Sequence, residues 1–398
     1  MPWKAESVTD QRTKFVLDYN RRVRSKEMSM AALCAEHGVS RKTGYKFVAR
    51  HEEGGWPGLR DRSRAPLSGK HWEHPETIAA VLDVRQEFPY WGARKIVAYL
   101  HDIAPDQQWP APSVAHEWIK RAGLVEVHSR ARRFPHPGRP PATPIERPNQ
   151  QWSTDFKGHF RTRDGRYCYP LTVVDSFSRY IIGCQALPGT SLELAWPVFV
   201  KLFREYGLPD AILSDNGTPF SSNSVKRLSK LAVRWIRLGI EPRLIQPGKP
   251  QQNGRLERMH RTLKQEACAS PAENCRRQQP TFDSFSECFN HVRPHEALGQ
   301  TPPARSYVAS SRQYPKRLPE IEYPSNCDLR RVRSSGEIKW NGQWFFLSDA
   351  LVGEWVAFEA VDDECSVLRF AHLELGYYSA REHRLHLDRT RPAPPSAG

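Results

Sequence analysis

The sequence has no C-x-x-C pair. Its eight cysteines are scattered from Cys34 to Cys365, so neither a disulfide framework nor a zinc ribbon is indicated, and reduced, mostly buried thiols are expected. It also lacks any run approaching the ~18 consecutive apolar residues of a membrane-spanning helix. Its start, MPWKAESVTD, has no apolar signal core. These absences predict a soluble, cytoplasmic protein without a membrane partner. Acidic residues are in deficit too: 44 Asp and Glu stand against 59 Lys and Arg, a formal charge of +15. In a soluble protein such an excess points first to a polyanion, most simply nucleic acid. Core material, by contrast, is ample. With 39% hydrophobic and 11% aromatic residues, disorder throughout the chain is excluded. At roughly 100–200 residues per domain, a chain of 398 residues suggests two to four domains.

The patterning reads as a multidomain chain, all-α at the N-terminus, α/β in the centre and all-β at the end. Residues 1–55 hold AALCAEHGVSRKTGYKFVARH, where Gly38 ends one helix and Ser40 caps the next. That is helix-turn-helix spacing, and the second helix offers Arg41, Lys42, Thr43, Tyr45 and Lys46 to the base edges and phosphates of DNA. A plain helical hairpin with a Gly turn shares the pattern. Residues 56–125 follow a Gly- and Pro-containing joint and show helical spacing again, as a second helical or winged helix-turn-helix module. The stretch 126–149 is basic and proline-rich, an extended linker suited to tracking phosphates.

From 150 to 310 strands alternate with helices. Three strands come from QWSTDFKGHF and YCYPLTVVDSFSRYIIGCQAL, a fourth from PDAILSDNG and a fifth from RWIRLGI. Helices are expected at SLELAWPVFVKLFREYG, SNSVKRLSKLA and QQNGRLERMHRTLKQE. This order implies a mixed sheet with helices on both faces. Over 320–385, short strands with an Asn341-Gly342 hairpin signal suggest a small β-barrel, and 386–398 is a Pro-rich tail expected to be disordered.

Three acids stand where such a sheet gathers side chains: Asp155 in the first strand, Asp215 at the end of the fourth, and Glu257 on the polar helix. Carboxylates held close together repel unless protonated or bridged by cations, and hard oxygen ligands suit Mg²⁺ or Mn²⁺. Arg261 and Lys264, four and seven residues after Glu257, share its helix face and are placed to grip a DNA backbone. Spacing alone leaves ordinary caps and ion pairs open for all three acids. Asp175 reads as a turn cap. Glu266, nine residues after Glu257, falls on the opposite face and is expected to be solvated. Asn216 makes the turn after Asp215 or orients the site. Arg293 contacts DNA or joins helices, and Lys249, in a Pro-Gly-Lys-Pro loop, is a further candidate DNA contact.

W-x-x-D at Trp152 to Asp155, SDNGTPF from Ser214, QQNGRLERMHRTLKQE from Gln251 and FNHVRPHEALGQTPPARSY from Phe289 resemble the integrase-core motifs of bacterial insertion-sequence transposases. The likeness covers residues 150–310, and retroviral integrases are more distantly similar. The resemblance implies an RNase H-like core with an Asp-Asp-Glu triad at Asp155, Asp215 and Glu257 and two divalent cations, Mg²⁺ or Mn²⁺, per site. It implies nicking of element ends and joining of their 3′ hydroxyls to double-stranded target DNA, by a homo-oligomer that is nucleoid-associated when bound. Two departures stand out. The 41 residues between Asp215 and Glu257 exceed the usual spacing, and the retroviral His-His-Cys-Cys zinc module is absent, which leaves end recognition to the helical modules. A non-catalytic DNA-binding regulator and a metal-dependent nuclease without strand transfer are the alternatives.

Overall fold

The computed structural model describes residues 7–61, 74–125, 144–246 and 250–388. Lys249, residues 126–143 of the expected basic linker and the tail from 389 lie outside the described residues. The chain divides into two compact units, Met1–Glu73 and His74–Gly398.

In the first unit, α1 (Val8–Asp18) starts at Ser7, which forms a reciprocal capping box with Asp10. α2 (Met30–Glu36) starts at Ser29 and is closed by Gly38 at φ 64°, a left-handed conformation that suits glycine. α3 (Arg41–Gly54) starts at Ser40 as the sequence predicts, with Ser40 Oγ accepting from Thr43 N at 3.2 Å. Phe15, Leu33, Cys34 and Val48 pack between the three helices. Their approach is tightest at Gly44, where a Cβ would meet Cys34 Sγ at 2.6 Å and Phe15 Cζ at 2.9 Å. Leu59 is buried in the same cluster, so the domain edge expected after residue 55 lies past the turn Trp56–Leu59.

The second unit opens with α4 (Pro75–Glu87), α5 (Ala93–Ile103) and α6 (Pro112–Arg121), packed around Trp91, Ile96, Leu100 and Trp118. Among the described residues of this stretch there is no strand, so the wing allowed for in this module is not found. The cluster also takes in Cys288 and Val292, and Lys95 Nζ donates to the Pro294 carbonyl at 2.5 Å. The three helices therefore lean on the α/β part.

That part comprises β1 (Gln151–Phe156), β2 (Phe160–Arg161), β3 (Tyr167–Asp175), β4 (Ile181–Leu187), α7 (Leu192–Tyr206), β5 (Ala211–Ser214), α8 (Lys230–Arg237), β6 (Glu241–Leu244), α9 (Gly254–Ala267) and α10 (Cys275–Glu287). β3 lies antiparallel between β4 and β1, while β5 and then β6 continue the sheet in parallel; β2 pairs with the start of β3. Alternation along β3 sends successive residues to opposite faces, and in β4 a register shift where Val173 pairs with Gly183 and Val174 with Ile181 lets Ile182 and Cys184 face opposite sides. Leu171, Val173 and Ile182 meet α7 and α8 on one face, and Val174, Ile181 and Cys184 meet α9 and α10 on the other. The mixed sheet covered on both faces is as expected. The fifth strand is not: RWIRLGI belongs mostly to α8, started by Ser229 as N-cap, and the strand is Glu241–Leu244. Pro242, which has no N–H to give, is tolerated there because, among the described residues, β6 pairs with β5 alone.

Beyond it, β7 (Cys327–Arg331), β8 (Glu337–Trp340), β9 (Gln343–Phe346), β10 (Trp355–Asp362), β11 (Cys365–Phe370), β12 (Leu373–Ser379) and β13 (Arg384–Leu387) are all antiparallel. Five of them form the sheet β13-β12-β11-β10-β7, and β8 and β9 form a separate hairpin at Asn341-Gly342. Among the described residues no pairing joins β13 to β7, so the expected barrel is an open sheet with a hairpin around one core. Val233 and Ile236 of α8 enter that core beside Phe358 and Leu368.

Candidate active site

The site begins with the anchoring of β1. Trp152 is fully buried against Phe203, and its Nε1 donates to Asn149 Oδ1 at 2.9 Å. Three residues on, Asp155 reaches the end of the strand. β1 and β5 run parallel with Thr154 opposite Ser214, so Asp155 and Asp215 occupy neighbouring strand ends. The chain turns directly after Asp215, where Gly217 N donates to Asp215 Oδ1 at 3.1 Å. A Cβ on Gly217 would stand 3.0 Å from Asp215 Oδ2, so a larger residue there would press on the carboxylate. α9 crosses nearby, burying Leu256, Met259 and Leu263 against the sheet and leaving Glu257, Arg261 and Lys264 exposed.

Electrostatics link the three acids. Burial first, then Asp215 and Glu257, push the Asp155 carboxyl up to about 7. Burial likewise raises Asp215, opposed by the Gly217 N–H. The donor chemistry fits a hard divalent cation, whose charge would relieve this repulsion. The cage is not closed, however: among the described residues no three His, Cys, Asp or Glu side chains are grouped to hold an ion. Asp155 and Asp215 are brought together by the sheet, and Glu257 stands exposed on the helix.

Sequence reasoning missed His260, which is buried beneath Asp155. Its Nδ1 lies 4.0 Å from Asp155 Oδ2 and its Nε2 lies 2.7 Å from Thr172 Oγ1. Thr172 gives its one hydroxyl proton to the Asp155 carbonyl at 2.9 Å, which leaves Nε2–H as the donor of the His260–Thr172 bond. Burial, then Lys157, lower the His260 pKa to about 3, so the ring is neutral. The only sequence signal was its place three residues after Glu257.

Asp175 is a turn cap, as expected: fully buried, it accepts from Asn149 N and from Ser178 N, both at 2.8 Å. Glu266 is not solvated. It pairs with buried Arg293, whose guanidinium also lies 6.0 Å from the rings of Trp91 and Phe289, so Arg293 joins elements and its charge is spent internally. Asn216 Nδ2 donates to the Ile245 carbonyl at 3.0 Å, and its buried Oδ1 has no partner among the described residues. In the first unit Arg41, Lys42, Tyr45 and Lys46 are exposed along α3. Thr43 is half-buried, its hydroxyl 2.8 Å from Ser40 Oγ, and so belongs to the cap.

Two family models described as Integrase core domain match residues 145–250 and 238–303, and one described as Helix-turn-helix domain matches 12–66. The uncharacterized 39.2 kDa protein of insertion element IS476 from Xanthomonas euvesicatoria is 27% identical over 234 residues, covering 57% of this chain and 63% of that protein. The Gag-Pol polyprotein of baboon endogenous virus is 33% identical over 208 residues, 49% of this chain and 11% of the polyprotein. The chain thus spans less than two thirds of either relative's length. The magnesium complex of the HTLV-2 integrase catalytic core domain overlaps 41% of this chain and 98% of its own at 16% identity, with a TM-score of 0.32, too low to add weight. The chain thus carries an integrase core domain behind an N-terminal helix-turn-helix domain, and over part of their lengths it is similar to an insertion-element protein and to a retroviral polyprotein.

Proposed function

We propose that the chain nicks the ends of a bacterial mobile element and joins their 3′ hydroxyls to target DNA, using divalent metal ions. The observation that carries this reading is the pairing of Asp155 and Asp215 on adjacent parallel strand ends, with the Asp155 carboxyl pushed up by burial and then by its acidic neighbours, inside an integrase core domain. Asp155 and Asp215 would hold two ions, Mg²⁺ or Mn²⁺, and Glu257 would complete the shell of one. Ions held there would supply Lewis-acid polarisation of a scissile phosphate and activation of a water or hydroxyl. The chain's own groups do the rest. The Gly217 N–H fixes the Asp215 carboxylate, and His260 with Thr172 holds the backbone of Asp155. Arg261 and Lys264 bind DNA phosphates beside the acids, with Lys249 as a further contact, while Arg41, Lys42, Tyr45 and Lys46 of α3 read double-stranded DNA. The acting form would be a homo-oligomer assembled on DNA at the nucleoid. No described helix is long and apolar enough to cross a membrane.

The test is incubation with candidate element ends, a plasmid target and Mg²⁺ or Mn²⁺, scoring nicked and joined products. Asp155→Ala, Asp215→Ala and Glu257→Ala are expected to lower joining by orders of magnitude while metal-free DNA affinity stays near that of the parent. Joining retained by Asp215→Ala would overturn the assignment. Nicking without joining would make the protein a nuclease.

A further inference from the structure

A cavity of about 550 Å³ opens beside the acids, between the α4–α5 turn and the α/β part, lined among others by Tyr90, Lys157, His159, Phe160, Arg261 and Lys264. Its size lies within the ~300–1,000 Å³ of small-ligand sites. Among the described residues its charge has one sign: no carboxylate lines it, and Lys157, Arg261 and Lys264 have no ion-pair partner. Cations without partners around a recess are placed for an anion. Its apolar walls are flat. Tyr90 is 47% exposed although its neighbour Trp91 is buried. His159 from the loop after β1, Phe160 of β2 and Pro170 of β3 line the same cavity, and His159 stands edge-on to Tyr167 at 4.7 Å. The recess is reached from the acids, because Lys157 follows Asp155 by two residues and Arg261 and Lys264 share the exposed side of α9 with Glu257.

A phosphate clamp joined to an aromatic wall is the chemistry of a single nucleotide, and duplex DNA presents a base to such a wall only after it leaves the stack. We infer that this cavity receives one unpaired nucleotide of the bound DNA next to the reacting phosphate, its base against Tyr90 and its phosphates on Lys157 and Lys264. The inference rests on DNA being the substrate, as proposed above, and adds that the strand end is held open.

Binding by the full chain in EDTA, where no strand is cut, tests it with three labelled probes of one sequence: a blunt duplex, the same duplex with a two-nucleotide overhang, and that overhang made abasic. The expected result is tighter binding of the base-bearing overhang than of the abasic one, by roughly tenfold for a stacked base. Tyr90→Ala removes this preference and Tyr90→Phe keeps it. Lys157→Ala and Lys264→Ala weaken all probes and each lower the salt slope by about 0.9. Equal binding of all probes, a preference unchanged in Tyr90→Ala, or unaltered affinity in both lysine variants overturns the pocket while leaving DNA as substrate. Failure to bind any probe overturns both readings. Displacement of the overhang by free deoxynucleoside monophosphates at matched concentration would assign the cavity to a free nucleotide instead.

Discussion

At Gly44 two opposing effects have to be weighed. Alanine is the better helix former by about 1 kcal/mol, yet its methyl would sit 2.6 Å from Cys34 Sγ, and overpacking of this kind costs about 1–3 kcal/mol. Packing wins, and Gly44→Ala is expected to lower the thermal midpoint of the helix-turn-helix unit, as far-UV circular dichroism will show. Lys95 offers a test with pH. Burial, then Arg293, lower its ammonium from 10.5 to about 8. The unfolded chain therefore binds more protons than the folded one between about pH 8 and 10.5, and stability from this group rises with pH across that window. Compared with Lys95→Met, the parent is expected to gain in thermal midpoint from pH 8 to 10; a constant difference would contradict the burial of the charge. His260 shows where reading residue by residue stops. Asp155, Asp215 and Glu257 were picked out by their expected strand ends and helix and joined as a triad through the resemblance, and the sheet brings the first two together, whereas the histidine matters only through Thr172 and Asp155, partners on other elements that no spacing along one helix reveals.

Among the elements, α8 is the one the sequence misread, and the reason is physical. A helix covered on one side shows a polar stripe every third or fourth residue. α8 instead buries Leu231 and Trp235 toward the α/β sheet and Ala232, Val233 and Ile236 toward the C-terminal strands, so its apolar residues run almost continuously and imitate a buried strand. Helices with one wet face, such as α7 and α9, were legible for the opposite reason. The C-terminal strands were legible from the Asn341-Gly342 turn and alternation, but closure into a barrel depends on pairings between strands distant in sequence. The Glu266–Arg293 pair was missed on both sides, since neither partner carries a local mark of its mate. It ties α9 to the turn after α10 with side chains only 20% and 9% exposed. Removing one partner of a buried pair costs about 3–5 kcal/mol, because the other charge stays buried alone. Glu266→Gln is expected to lower the thermal midpoint of the second unit, and the double variant Glu266→Gln/Arg293→Met to recover part of the loss.

In the whole molecule, the second helical module resembles an independent domain in sequence, but Cys288 and Val292 complete its core. A fragment ending at residue 147 is therefore expected to keep the first unit folded and to expose apolar surface in its second half, detected as binding of an anilinonaphthalene dye. A chain starting at residue 74 is expected to fold without it. The double burial of α8 carries this further. A helix shared by two cores cannot be lost from one and kept by the other, so the α/β sheet and the C-terminal strands form a single cooperative unit with no separate melting of the tail domain. In a calorimeter that unit absorbs its heat in one peak whose van't Hoff and measured enthalpies agree, and cutting the chain before β7 lowers the stability of the sheet bearing Asp155 and Asp215 although the cut lies far from both.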